Sequence, residues 1–197
     1  MLPRMRLRCC VVLALAALLL FDLPIHARVT RVEVTSRADV LGGKNFGDAG
    51  PYERLSGRVY FSLPVDNRHN AAIVDLKNAV NLKEGEVEFS ANFIVVCPKD
   101  RRKSNGSLLL EVPNRGRGRI IALVDGGDWD LSSDAGDGWL LRNGFTIASL
   151  GWQWDASGPG ALGFFAPLAK EAGKTITGLL RGDLMAYKAM PEIPWAT

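Results

Sequence analysis

Three short stretches hold the residue types from which chemistry could be built. The first, LLLEVPNRGRGR (108–119), carries an apolar run into a turn of alternating glycine and arginine. Turns of that kind occur where backbone N–H groups approach a phosphate or an oxyanion, and also where a chain simply reverses. Gly116-Arg117-Gly118-Arg119-Ile120-Ile121 opens like the dinucleotide fingerprint G-x-G-x-x-G but has Ile121 in place of the third glycine, and no Lys-Ser/Thr pair follows. Arg115, Arg117 and Arg119 have no aromatic residues between them on which bases could stack, so the turn does not resemble a nucleic-acid strip. A solvated basic loop and a backbone donor both stay open.

The second stretch runs from Asp125 to Asp137 and holds five aspartates in thirteen residues. Carboxylate-rich loops suit calcium. Aligned on Asp128, however, Ser133 replaces the glycine of the sixth place and Trp139 stands where a bidentate glutamate closes the site. A flexible loop that feeds a helix start is the better expectation.

The third is Ile147-Ala-Ser-Leu-Gly151, the nearest approach to the G-x-S-x-G elbow of serine hydrolases, with Ile147 in the first glycine position. Ser149 is therefore expected to be a strand residue. A base is as scarce as a nucleophile, because the chain has two histidines, His26 in an apolar leader and His69 in the polar loop DNRHN. H-E-x-x-H and paired-cysteine patterns are missing, so no metal and no cofactor are expected.

The leader itself is legible. Arg4, Arg6 and Arg8 precede the apolar run Cys9 to Phe21, which is too short to span a bilayer, and Ala27 offers a small residue for cleavage. Residues 1–27 read as a secretory signal peptide, giving a secreted or periplasmic product with no membrane partner after cleavage. The chain carries 24 Lys and Arg against 21 Asp and Glu. Loss of the leader removes three of those arginines together with Asp22, leaving the remainder nearly neutral, which argues against nucleic acid as a partner. Cys97 is then the one remaining cysteine, a buried structural thiol at the end of FIVVC and not half of a disulfide. Asn105-Gly-Ser107 matches the N-glycosylation triplet, which matters only in a eukaryotic host.

The elements that would position these residues follow from periodicity. VTRVEVTS, YERLSGRVYFSL and EVEFSANFIVV alternate or become wholly apolar, with turn residues between them, so residues 28–100 form a β-rich N-terminal region. From residue 101 to 197 the pattern changes. SLLLEVP and FTIASLGW flank a helix expected to be capped by Ser132, Ser133 or Asp134, with Trp139-Leu140-Leu141 as its apolar face, Arg142 in its last turn and Gly144 in the left-handed position beyond it. Strand, crossover helix, strand is the unit of a parallel sheet, so residues 107–152 are expected to be β-α-β. KTITGLLRGDL offers a further strand.

EVPNRG (111–116), DAGDGWLLRNGFTIASLGWQWD (134–155) and TITG (175–178) together resemble the N-terminal part of a family of large exported bacterial α/β-hydrolase-domain proteins. GPYERLSGRVYF (50–61), AAIVDLKNA (71–79) and VEFSANFIVVCPKD (87–100) look like the β-rich region that precedes the core in that family. The resemblance implies an α/β fold, a partial α/β-hydrolase sheet formed by its first β-α-β and preceded by the β-rich region. It also implies that the backbone of Arg115 and Gly116 forms one side of an oxyanion hole, and that the nucleophile serine, acid and histidine lie beyond residue 197. The expectation is thus an N-terminal portion of an exported esterase-like hydrolase, inactive alone, taking a small ester-like substrate only when completed. The alternative is an exported binding or interaction module with an aromatic surface built from Trp129, Trp139, Trp152, Trp154 and Trp195.

Overall fold

The computed structural model describes residues 27–179, so the leader and Trp195 lie outside the described residues. Nine strands follow in chain order: β1 (Arg28–Asp39), β2 (Asn45–Phe46), β3 (Gly50–Pro64), β4 (Glu86–Pro98), β5 (Leu108–Glu111), β6 (Thr146–Leu150), β7 (Phe164–Phe165), β8 (Lys170–Glu171) and β9 (Lys174–Thr175). Two helices, α1 (Ile120–Val124) and α2 (Trp139–Arg142), lie between β5 and β6. The first seven strands form one mixed sheet in the order β1-β3-β4-β6-β5, with β2 paired to β3 and β7 to β4, while β8 and β9 form a separate hairpin. Neighbours run antiparallel except β5 and β6, which are parallel.

The long strands arise where alternation is longest. β3 and β4 pair without a slip from Tyr52 opposite Pro98 to Pro64 opposite Glu86. Because paired residues point to the same side, Leu109, Ile147 and Val96 share one face, and Leu110, Ala148, Val95 and Leu55 share the other. The first face is covered where the helices lie. Leu140 and Leu141 of α2 and Ile121 of α1 pack with Val96, Ile147, Tyr52, Val40 and Phe46 into the larger core. Tyr52 is wholly buried, and its hydroxyl donates to the carbonyls of Leu141 at 2.9 Å and Phe145 at 3.1 Å, tying β3 to both ends of the helix turn.

The second face is buried along its central strands, at Val59, Leu63, Val87, Ala91, Phe93 and Cys97, and Phe61, Phe89 and Phe164 stack toward one end. It is open at its two edge strands: Val32 and Val34 of β1 and Leu108 and Leu110 of β5 are each at least half exposed, and Leu55, Val95 and Leu150 are half-buried.

This architecture corrects the expected fold class. Strand accounts for 41% and helical turns of every kind, short 3-10 turns included, for 18%, with only two α-helices among the described residues beside a mixed seven-stranded sheet, so the fold is β-rich and not that of an α/β-hydrolase sheet. The strands at 108–111 and 146–150 are present, adjacent and parallel, yet the segment between them holds helices of only five and four residues. The cause is local. Asp128, Asp130 and Asp134 accept the N–H groups of Ser133, Ser132 and Gly136, so each carboxylate holds its own turn and withholds those amides from a helix. Ser132, Ser133 and Asp134 consequently cap nothing. α2 begins after Gly138, and its first amides are taken by Asp137, from Trp139 at 2.7 Å, and by Asp125, from Leu140 at 3.2 Å. Gly144 does take the left-handed position at φ 74°, donating to Leu141 O. The expected strand KTITGLLRGDL is confined to Lys174–Thr175, its residues from 180 on lying outside the described ones. β4 is bonded to β6, so strands from both sides of residue 100 belong to one sheet.

Candidate functional site

The glycine-arginine turn leaves the C-terminal end of β5. Glu111, the last residue of that strand, turns its carboxylate onto the start of α1 and accepts the Arg119 N–H at 2.5 Å and the Ile120 N–H at 3.4 Å. A carboxylate in that position also opposes the partial positive charge of the exposed amides. Arg115 and Gly116 both lie in the left-handed region, at φ 54° and 73°. Gly116 is buried, and a Cβ there would come within 2.7 Å of Leu162 N, so only glycine allows this approach.

A second loop, residues 151–163, braces the turn. Leu162 N–H donates to Gly116 O at 2.8 Å, the Trp152 indole donates to Pro113 O at 2.9 Å, and Arg115 forms an ion pair with Asp155. The Arg115 backbone N–H donates to Gln153 Oε1. That donor is therefore engaged, and a substrate oxygen would have to displace the Gln153 amide to reach it. Arg117 and Arg119 are exposed. The brace was not legible in the sequence, because Gln153 and Asp155 lie about forty residues from their partners with no spacing rule to connect them.

The other candidate residues are not gathered at this turn as a catalytic set. Ser149 is a buried strand residue that sits opposite Glu111 in register. His69 lies in an exposed turn of the 65–85 loop, capped by Asn67 at 2.9 Å. Cys97 is buried; burial pushes its thiol upward, Glu53 adds to that shift, and Arg101 and Arg37 oppose it. It is thus held as a thiol. Beside it Glu53, also buried, is clamped by Arg37 at 2.9 Å and Arg101 at 2.5 Å. The alternation of YERLSGRVYF places Glu53 on the same side as Leu55, Val59 and Phe61, a signal the sequence did contain.

In the acidic loop, Asp125 is buried and its carboxyl is raised above the usual carboxylate range, chiefly by burial and further by Asp137, against the pull of the Leu140 N–H. Asp130 pairs with Arg54 at 2.8 Å. Among the described residues no three His, Cys, Asp or Glu side chains are grouped to hold a metal ion, and no helix is long and apolar enough to cross a membrane. The tryptophans have different surroundings. Trp129 packs on the covered core, Trp139 lies 5.7 Å from the Phe145 ring, Trp152 is fixed to Pro113, and Trp154 is the most exposed at 77%.

Compared with family models, curated proteins and solved structures, the chain matches none.

Proposed function

We propose that this chain is the N-terminal, sheet-forming portion of an exported ester hydrolase, supplying scaffold and a backbone turn to an acyl-transfer site whose nucleophile is carried elsewhere. One observation carries the reading. β5 ends the sheet as a parallel strand with its outer edge unpaired among the described residues, and a strained glycine turn stands at its C-terminal end. Parallel strands are ordinarily buried on both faces and flanked on both sides, so an edge and a face left open here fit a piece to be completed. Active-site loops favour the C-terminal ends of parallel strands. The likeness of DGWLLRNGFTIASLGWQ to exported bacterial hydrolase-domain proteins supports the same reading, and residues 1–27 would direct export.

In this role the chain has no acyl-transfer activity by itself. Ser149 is buried, and His69 occupies a surface loop. Incubating the purified chain with short acyl esters and with a serine-reactive phosphonate is expected to give neither turnover nor labelling. Turnover abolished by Ser149→Ala would overturn the proposal. The competing reading, a binding module with an aromatic surface, rests on the exposed Trp152 and Trp154. It predicts a saturable shift in tryptophan emission on titration with oligosaccharides, where the hydrolase reading predicts none.

A further inference from the structure

The second face of the sheet, exposed on its edge strands, is roofed beyond the C-terminal end of β6. There the 65–85 loop and the 163–169 segment meet across it. Ala79 bridges Ala169, and Val80 N–H donates to Leu168 O at 2.9 Å. Beneath this roof is a cavity of about 320 Å³. Its floor is Leu63, Val87 and Phe89, and Phe164 closes one side. The size is at the lower end of the range typical of small-molecule sites, and the lining is the kind such sites use, apolar with one polar group.

That polar group is Asp75. It is the only charged residue in the lining, it is half-buried, and its carboxylate has no partner among the described residues. Its backbone lies at φ 56°, in the left-handed region that non-glycine residues seldom occupy. Asp75, Ile73 and Leu76 also form the wall shared with a neighbouring polar hollow that contains Asp66, Arg68 and Lys77. Lys77, in the same hollow, is paired with Asp66 at 3.0 Å and not with Asp75. A carboxylate without a counter-ion on the wall of an apolar cavity gives a cationic ligand a charge to pair with.

We propose that this cavity is a binding site for a small apolar amine, its hydrocarbon chain lying on Leu63, Val87, Phe89 and Phe164 and its ammonium donating to Asp75. The site is distinct from the glycine-arginine turn and does not depend on the hydrolase reading.

Calorimetric titration of the purified chain with octylammonium, octanol and octanoate tests it. Saturable one-to-one binding of octylammonium is expected, about tenfold tighter than octanoate, in line with one charge-assisted contact. Asp75→Asn should reduce that preference to about twofold or less while octanol still binds, because the removed charge and not the cavity sets it. Ala166→Trp, at an exposed position on the cavity lining, should block all three ligands, and unchanged thermal unfolding of both variants shows that they fold. Absence of saturable octylammonium binding, octanoate binding as tightly as octylammonium, or binding indifferent to both substitutions would each overturn the proposal.

Discussion

The two faces of the seven-stranded sheet differ in composition and in cover: along the central strands one carries Arg54, Ser56, Arg58, Ser90 and Asn92 beside Val96, and the other is apolar from Leu55 to Leu63 and from Val87 to Val95. On one, Leu140 and Leu141 arrive on a four-residue helix and seal Val96, Ile147 and Tyr52 from water. On the other, Leu108 and Leu110 of the same edge strand remain more than half exposed, although they alternate with Leu109 along one four-residue strand. The contrast teaches that strand patterning alone does not decide burial. LLLEV is apolar on both sides, as a strand destined for two-sided cover would be, and the described residues supply the cover on only one.

The comparison can be broken most sharply by deleting side chains from each face. Leu141→Ala removes a wholly buried side chain from the covered face and should cost about 2–5 kcal/mol. Leu110→Ala on the exposed edge of the second face should cost less than about 1 kcal/mol. Urea unfolding followed by tryptophan emission measures both, and equal losses would mean that this edge is covered in solution. Gly116→Ala comes next. The left-handed backbone and the approach to Leu162 should together cost about 2 kcal/mol or more and loosen the 151–163 brace, a change visible as faster amide exchange at Leu162. Tyr52→Phe keeps the packing of the covered core and removes a hydroxyl shared by two buried carbonyls, for an expected loss of about 1–2 kcal/mol.

The smallest effects are in the pH dependence, where two carboxylates act with opposite sign. Asp125 is raised by burial, so its contribution is fully present below the unfolded-state value near pH 4 and is lost as pH rises through the folded-state value. Asp125→Asn should flatten that decline while keeping an acceptor for the Leu140 N–H. Glu86 is lowered, first by its hydrogen bond from Arg28 and then by that from Ser62. Its contribution is present above its unfolded-state value and fades as pH falls through the folded one, weakly because the pair is exposed. Denaturation of Asp125→Asn and Glu86→Gln across pH 3 to 7 separates the two slopes.

Much of the sheet was legible in the sequence and much of the helical layer was not. The alternation in VTRVEVTS, YERLSGRVYFSL and EVEFSANFIVV is long enough for period two to dominate, and these stretches are β1, β3 and β4. WLLR marked α2, but its start was misplaced because Ser132, Ser133 and Asp134 look like helix caps, whereas the amides of Ser132 and Ser133 are taken by Asp130 and Asp128 and Asp134 closes a turn on Gly136. IIALV gave no helix signal, since α1 is capped by Glu111, nine residues upstream of Ile120. The same limit applies to the turn. Its glycines and arginines were visible, whereas the Gln153 and Asp155 brace and the Asp75 cavity depend on contacts between distant segments.

The most direct test of the hydrolase reading is the DNA that follows codon 197. The account predicts a continuation, in frame or recoverable by a single frameshift, that encodes G-x-S-x-G and then an acid and a histidine in chain order. A downstream sequence without that motif in any frame would contradict it.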